Sequence, residues 1–264
     1  QPDRTLLTLT DLQGTLLSQS SQTVVHASLP QRLLSVRDQL HQESSSENSD
    51  PTPILGIGIG VAGIVDGDRG EVLESNPLDI FETYPLAAEL ESILRIPAAC
   101  ENDANCCAWG GLLSEPALKR ANFAAIRGEI REDRLHTGFG FVLNGTVFRG
   151  SRSSAGEFRS LFAEPSSPAQ FMDTRSREAS VDELSRNTAL LVNMLNLDAV
   201  VVGGSLSEFG AQFESSLARE IERNWSYPPA PSCPVYHLPA KEGAVAYGAA
   251  AMFLLRLMRV PTLA

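Results

Sequence analysis

Apolar positions along the chain fall into two rhythms. Short apolar runs bounded by glycine, asparagine or proline predict strands at residues 6–10, 15–17, 54–61, 71–73, 96–99, 122–126, 137–143, 146–150, 199–205 and 233–238. Stripes at three- and four-residue spacing predict helices at 29–40, 86–94, 104–113, 181–195, 209–225 and 243–258. Val24-Val25 begins a further apolar step. Ser180 or Asp182 stands near the start of the fourth helix. Asp11-Leu12-Gln13-Gly14 and Asn144-Gly145 are hairpin turns. The order is hairpins plus a helix, twice, followed by helix–strand–helix–strand–helix, which predicts an α/β chain of two related lobes. Residues 41–53 are almost free of apolar side chains and predict a solvated, mobile loop. Residues 164–177 are polar and rich in proline and serine, with no period. The run Gly56-Ile57-Gly58-Ile59-Gly60 puts repeated glycines in a buried strand, which calls for close approach of a backbone or a ligand.

Length and composition narrow the class. The chain has 264 residues, 43% of them hydrophobic and 20% charged, the balance of a globular protein with a substantial core. A net charge of -11 repels phosphate backbones, so these residues alone are poor DNA ligands. The start of the chain has no signal-peptide pattern, and the longest apolar run, 248–255, is too short to span a bilayer. The expected setting is cytoplasmic, with no membrane partner. Cys100, Cys106, Cys107 and Cys233 have no CxxC spacing and predict buried, reduced thiols.

The chemistry concentrates at residues 100–110. Glu101, Asn102, Asp103 and Asn105 lie between an apolar strand and an apolar helix, at the carboxyl end of the strand, where open α/β sheets bind ligands. A lone Asp103 is sufficiently explained as a helix N-cap. Two carboxylates and two carboxamides within five residues exceed a cap and suit a polyhydroxyl ligand. Trp109 is expected to pack in the core rather than contact a ligand.

Several blocks resemble, in order, the ROK family of repressors and sugar kinases. Gly58 to Asp66 is similar to its strand and loop, and Glu101-Asn102-Asp103-Ala104-Asn105 to its hallmark. Residues 138–145, Arg149-Gly150 and Ala155-Gly156-Glu157 resemble its middle block. Residues 201–205 and 243–250 resemble its closing blocks. The resemblance implies the two-lobed, actin-like ATPase (ribonuclease H-like) fold of sugar kinases. It divides the chain into an N-terminal lobe at 1–100 and a C-terminal lobe at 101–242. The insertion near 159–180 is shortened, and a helix at 243–264 returns to the first lobe. It makes Asn102, Asp103 and Glu157 contacts to sugar hydroxyls, with Gly63 and Asn76 in the loop lining the sugar. In a kinase Asp103 is the general base. Thr137 and Gly138 match the second phosphate loop, and Gly203 and Gly204 the turn beside adenosine, although tight turns alone explain these glycines equally well.

Departures from the family pattern shape the functional expectation. Family kinases open with an Asp-x-Gly-x-Thr loop for phosphate and magnesium, which these residues do not supply. The family's zinc knuckle follows the Glu157 block. Here Ser160 takes its histidine position and no cysteine lies between Cys107 and Cys233, so no zinc site is expected. The first expectation is therefore a sugar-binding effector domain of a ROK-type transcriptional regulator, a homodimer that meets DNA only through a helix-turn-helix outside these residues. The Ala108-Trp109-Gly110 continuation adds a modest cue in the same direction. The alternative is an ATP- and magnesium-dependent, glucokinase-like hexose kinase. A degenerate, non-catalytic family member stands third.

Overall fold

The computed structural model describes residues 4–23, 29–44, 53–131, 134–162 and 176–258. Strands β1 (Arg4–Thr10) and β2 (Leu16–Thr23) pair antiparallel. The Asp11 carboxylate closes their turn by accepting the amides of Gln13 (2.9 Å) and Thr15 (2.8 Å). Helix α1 (Leu29–Ser44) buries Leu33, Val36 and Leu40. It runs four residues into the stretch expected to be loop. Residues 45–52, the Val24-Val25 step and most of residues 164–177 lie outside the described residues.

Strand β3 (Ile57–Val61) pairs in parallel with β6 (Ala98–Asn102), setting Gly60 beside Glu101 and Val61 beside Asn102. Between them come the β4 (Ile64–Asp66) and β5 (Glu71–Glu74) hairpin and helix α2 (Leu86–Leu94), whose Leu86 and Leu90 are buried. The glycines of β3 answer a backbone. A Cβ on Gly58 would lie 1.9 Å from the Ala249 carbonyl oxygen of helix α6 (Ala244–Leu257). The terminal helix therefore packs directly on β3.

The second sheet has five strands in the order β11-β10-β7-β8-β9. They are β7 (Phe123–Arg131), β8 (Arg134–Leu143), β9 (Thr146–Phe148), β10 (Ala199–Gly204) and β11 (Val235–His237). β10 runs parallel to β7 and β11, and β8 runs antiparallel to β7. β7 extends five residues beyond the apolar run that predicts it, because Gly128 and Ile130 continue the ladder with β8. Helices α4 (Arg177–Leu195) and α5 (Gly210–Arg223) share one apolar core with this sheet, including Leu184, Val192, Phe213 and Leu217. The cap of α4 is Ser176, ahead of Ser180 and Asp182, and its side chain accepts the Ala179 amide.

Helix α3 (Asp103–Ser114) lies against the second sheet on one side and α6 on the other. Its residues from Asp103 to Leu112 are all buried, as few polar-headed helices are. Among the described residues no helix is long and apolar enough to cross a membrane. All four cysteines are free. Burial pushes the Cys100 and Cys107 thiols up to about 12.

Candidate functional site

β6 carries Glu101 and Asn102 to its carboxyl end, and α3 begins at the next residue, Asp103. The cap belongs to Asn102 rather than Asp103. Asn102 Oδ1 accepts the amides of Ala104 (2.9 Å) and Asn105 (3.0 Å), and its Nδ2 donates to the Gly63 carbonyl at 2.9 Å. Most of its hydrogen-bonding capacity is thus committed inside the fold. A backbone that leaves a strand in extended conformation and turns into a helix puts the residue before the first helical one in the capping position.

That leaves the buried Asp103 in the first turn to face the cavity, where the helix dipole favours its charge. Asp103 Oδ1 accepts the Ala104 amide at 2.8 Å, and Oδ2 lies 3.2 Å from Arg127 Nη1. Arg127 also pairs with Glu129 two residues along β7. Burial opposes the charge on Arg127, but the Asp103 and Glu129 carboxylates outweigh it and raise its pKa. Asp103, Arg127, Gly128, Glu129 and Gly204 all line one cavity of about 490 Å³. Its other walls include Leu6 and Leu7 of β1, Ile57 to Val61 of β3 and Val245 of α6.

Glu157 follows β9 in a turn region. Much of its surface is open, yet desolvation of its carboxyl group, and then the charge of Asp103, raise its pKa. The charge of Asp103 is thus felt at Glu157, but Asp103 lines the cavity and Glu157 does not. Gly63 has φ +153°, and a Cβ there would come within 2.3 Å of the Glu74 carbonyl oxygen, so its carbonyl can approach Asn102 only as glycine. Asn76 opens a 3-10 turn (Asn76–Leu78) and is exposed; its neighbours Pro77 and Leu78 line the cavity, and Asn76 does not.

Gly138 stands opposite Arg127 in the β7–β8 ladder, and a Cβ on it would lie 3.8 Å from Asp103 Oδ1. The neighbouring Thr137 hydroxyl is buried with no hydrogen-bond partner. Gly204, at φ +74°, reaches the cavity wall. Gly203 is buried under Ala244, Leu238 and Cys107, and packing alone explains it. Neither Gly138 nor Gly204 has open space beside it: a Cβ on Gly138 would lie 3.1 Å from Ala104 Cβ, and one on Gly204 2.2 Å from the Gly128 carbonyl oxygen. Of Thr137, Gly138 and Gly204, only Gly204 lines the cavity. Among the described residues no three His, Cys, Asp or Glu side chains gather to hold a metal. Ser160, at the histidine position of the family pattern, accepts from Asn187 Nδ2 at 2.9 Å and ties this loop to α4.

Glu101 and Asn105, counted with the polyhydroxyl-binding groups on sequence, turn inward instead. Glu101 is wholly buried. It receives Arg149 Nε at 3.0 Å and a second Arg149 contact through Nη2, Trp109 Nε1 at 3.3 Å, Asn105 Nδ2 at 3.2 Å and the Asn102 amide at 3.1 Å. Arg256 Nη2 of α6 is 3.7 Å away. Arg149 Nη1 also reaches Asp68 at 3.4 Å. One buried carboxylate thus joins β6, the β4–β5 turn, the end of β9 and α6. Trp109 packs in the core and anchors this carboxylate as well.

Sequence reasoning missed Arg127, Arg149 and Arg256. For Arg127 a signal exists: in β7, Arg127 and Glu129 alternate with Ile126, Gly128 and Ile130, which places the two charges on one face. Arg149 stands in the Arg149-Gly150 block that resembles the family, although that block does not reveal its glutamate partner, and nothing comparable marks Arg256.

Two lobes, with an acidic helix start opening on the cavity between their strands, define the actin-like ATPase fold of the sugar kinases. The chain belongs to the ROK family, whose model matches residues 3–169. It is 31% identical to a β-glucoside kinase of Listeria innocua over 133 residues, 48% of this chain and 42% of that one. The chain spans less than half the length of the curated relatives it matches. A ROK family glucokinase from Streptomyces griseus, solved with glucose and AMPPNP, superposes with a TM-score of 0.74 at 19% identity, covering 96% of both chains. A ROK family transcriptional regulator, a homologue of the E. coli MLC protein, superposes with a TM-score of 0.72 at 17% identity, covering 97% of this chain and 78% of that one. At such identities the superpositions establish the fold.

Proposed function

We propose that the chain binds a monosaccharide at Asp103 and Glu157 and serves ATP-dependent phosphorylation of that sugar, as in the kinases it resembles. One observation carries the reading: Asp103 is the carboxylate that a strand end and a helix start jointly aim into the 490 Å³ cavity. Asn102 fixes that helix start, so Asp103 is held by backbone rather than by a flexible stem. Asp103 takes the proton of the attacking hydroxyl, and Glu157 accepts a second hydroxyl. Thr137, Gly138 and Gly204 hold the nucleotide phosphates, whose terminal phosphoryl group ATP supplies when bound. Most of the relatives are named as sugar kinases, which is why this reading now stands ahead of the regulator.

The effector-domain reading keeps second place on a specific observation, the Arg127–Asp103 ion pair, which occupies the proposed base. A panel of D-glucose, N-acetyl-D-glucosamine, cellobiose and D-xylose, followed by thermal shift and by coupled ATP turnover, separates the two. Sugar-dependent ATP turnover lost in Asp103→Ala by about 10²-fold or more supports the kinase. Stabilisation by a sugar without turnover supports the effector domain. Stabilisation by none refutes both.

A further inference from the structure

Arg127 stands where the proposed chemistry needs an available carboxylate. Its Nη1 lies 3.2 Å from Asp103 Oδ2, and its Nη2 pairs with Glu129. The second Asp103 oxygen accepts the Ala104 amide at 2.8 Å. Both oxygens therefore already have a protein partner. The Arg127 and Asp103 side chains are only 16% and 11% exposed, so solvent screens their attraction little. The arrangement is built into the sheet. β7 alternation sets Arg127 and Glu129 on one face, and both line the cavity with Asp103.

We propose that Arg127 sets the sugar affinity of this site by competing with the sugar hydroxyl for Asp103, and that Glu129 is the second seat that holds the guanidinium when sugar enters. The proposal rests on the reading of Asp103 as a sugar contact. One cation faces two acceptors, and a hydroxyl that donates to Asp103 Oδ2 weakens only one of them. Sugar binding therefore favours Arg127 on Glu129. The apparent affinity is the intrinsic affinity scaled by the fraction of molecules with Asp103 released. If that fraction is roughly one tenth, removing the competitor tightens binding about tenfold. Removing Glu129 acts in the opposite sense, because the guanidinium then has Asp103 alone.

The test is isothermal titration of the same four sugars into the wild-type chain, Arg127→Gln and Glu129→Gln, with circular dichroism to check the fold. Arg127→Gln is expected to bind about tenfold tighter and Glu129→Gln several-fold weaker. Opposite signs from neighbouring residues on one strand do not arise from general destabilisation. Equal or weaker binding by Arg127→Gln overturns the proposal while leaving the sugar site standing. If Arg127→Gln does not fold, Arg127→Lys replaces it. Lysine cannot hold both carboxylates as a planar fork, so a smaller gain is expected, and no gain overturns the proposal. Binding of no sugar by either wild type or variant refutes the sugar site itself, and this inference with it.

Discussion

Replacing Arg149 with methionine tests how the acidic stretch at the end of β6 is held. Glu101 has no exposed surface, and Arg149 is the cation that meets it by two guanidinium contacts. The methionine keeps most of the apolar stem and deletes the charge. What remains around Glu101 is Arg256 Nη2 at 3.7 Å and the neutral donors of Trp109, Asn105 and the Asn102 amide. Removing one partner of a buried ion pair costs about 3–5 kcal/mol. The neutral donors and Arg256 keep this case near the lower end, about 3 kcal/mol. At about 2–4 °C per kcal/mol for a chain of this size, the melting temperature should fall by roughly 6–12 °C. Urea denaturation of Arg149→Met, Glu101→Gln and the double variant completes a cycle. The double variant should be less destabilised than the sum of the singles, by about 2 kcal/mol, because each single strands the other member of the pair and the double strands neither. A loss below about 1 kcal/mol in Arg149→Met, or strict additivity, would refute the claim that Glu101 is held by this pair.

Three further outcomes follow from the same geometry. Asn102→Ala removes the α3 cap and the Gly63 tether and should cost about 1–2 kcal/mol, read by urea midpoint, with weakened sugar binding alongside. Glu157 has its folded pKa raised, so its contribution to stability is present below the ordinary glutamate pKa and is lost as pH rises through the raised value. Asp103→Asn removes one of the two causes, and an NMR titration of the Glu157 carboxyl carbon should show its midpoint move down; a midpoint that stays put contradicts the influence of the Asp103 charge on Glu157. With the Cys107 thiol pushed up to about 12 and the half-buried Cys233 thiol to about 11, iodoacetamide at neutral pH should label the native chain slowly, Cys233 first, by peptide mass spectrometry.

The regular elements were legible because each has one dominant period. The 86–94 stripe is the α2 helix to the residue, and Ala199–Gly204 is a strand because six apolar or small positions run together between turns. Boundaries slipped where a polar residue does structural work. Strand β7 runs past Ile126 because Arg127 and Glu129, which look like the end of an apolar run, point into a cavity. The α3 cap moved from Asp103 to Asn102 because which side chain turns back on the helix depends on where the strand stops. The glycines of β3 signalled close approach, and their neighbour is the α6 backbone rather than a ligand. The site was half legible. Asp103 of the polar cluster lines the cavity, whereas Glu101 and Asn105 serve an ion-pair network whose arginines lie far along the chain. Only folding brings those partners together, so local pattern carries no trace of them.

The most direct measurement is the binding of the best sugar of the panel to the wild-type chain and to Asp103→Ala, by isothermal titration at neutral pH. The account predicts saturable binding to the wild type and a loss of about 100-fold or more in the variant, with its fold intact by circular dichroism. Undiminished binding to Asp103→Ala would show that the sugar sits elsewhere and contradict the account.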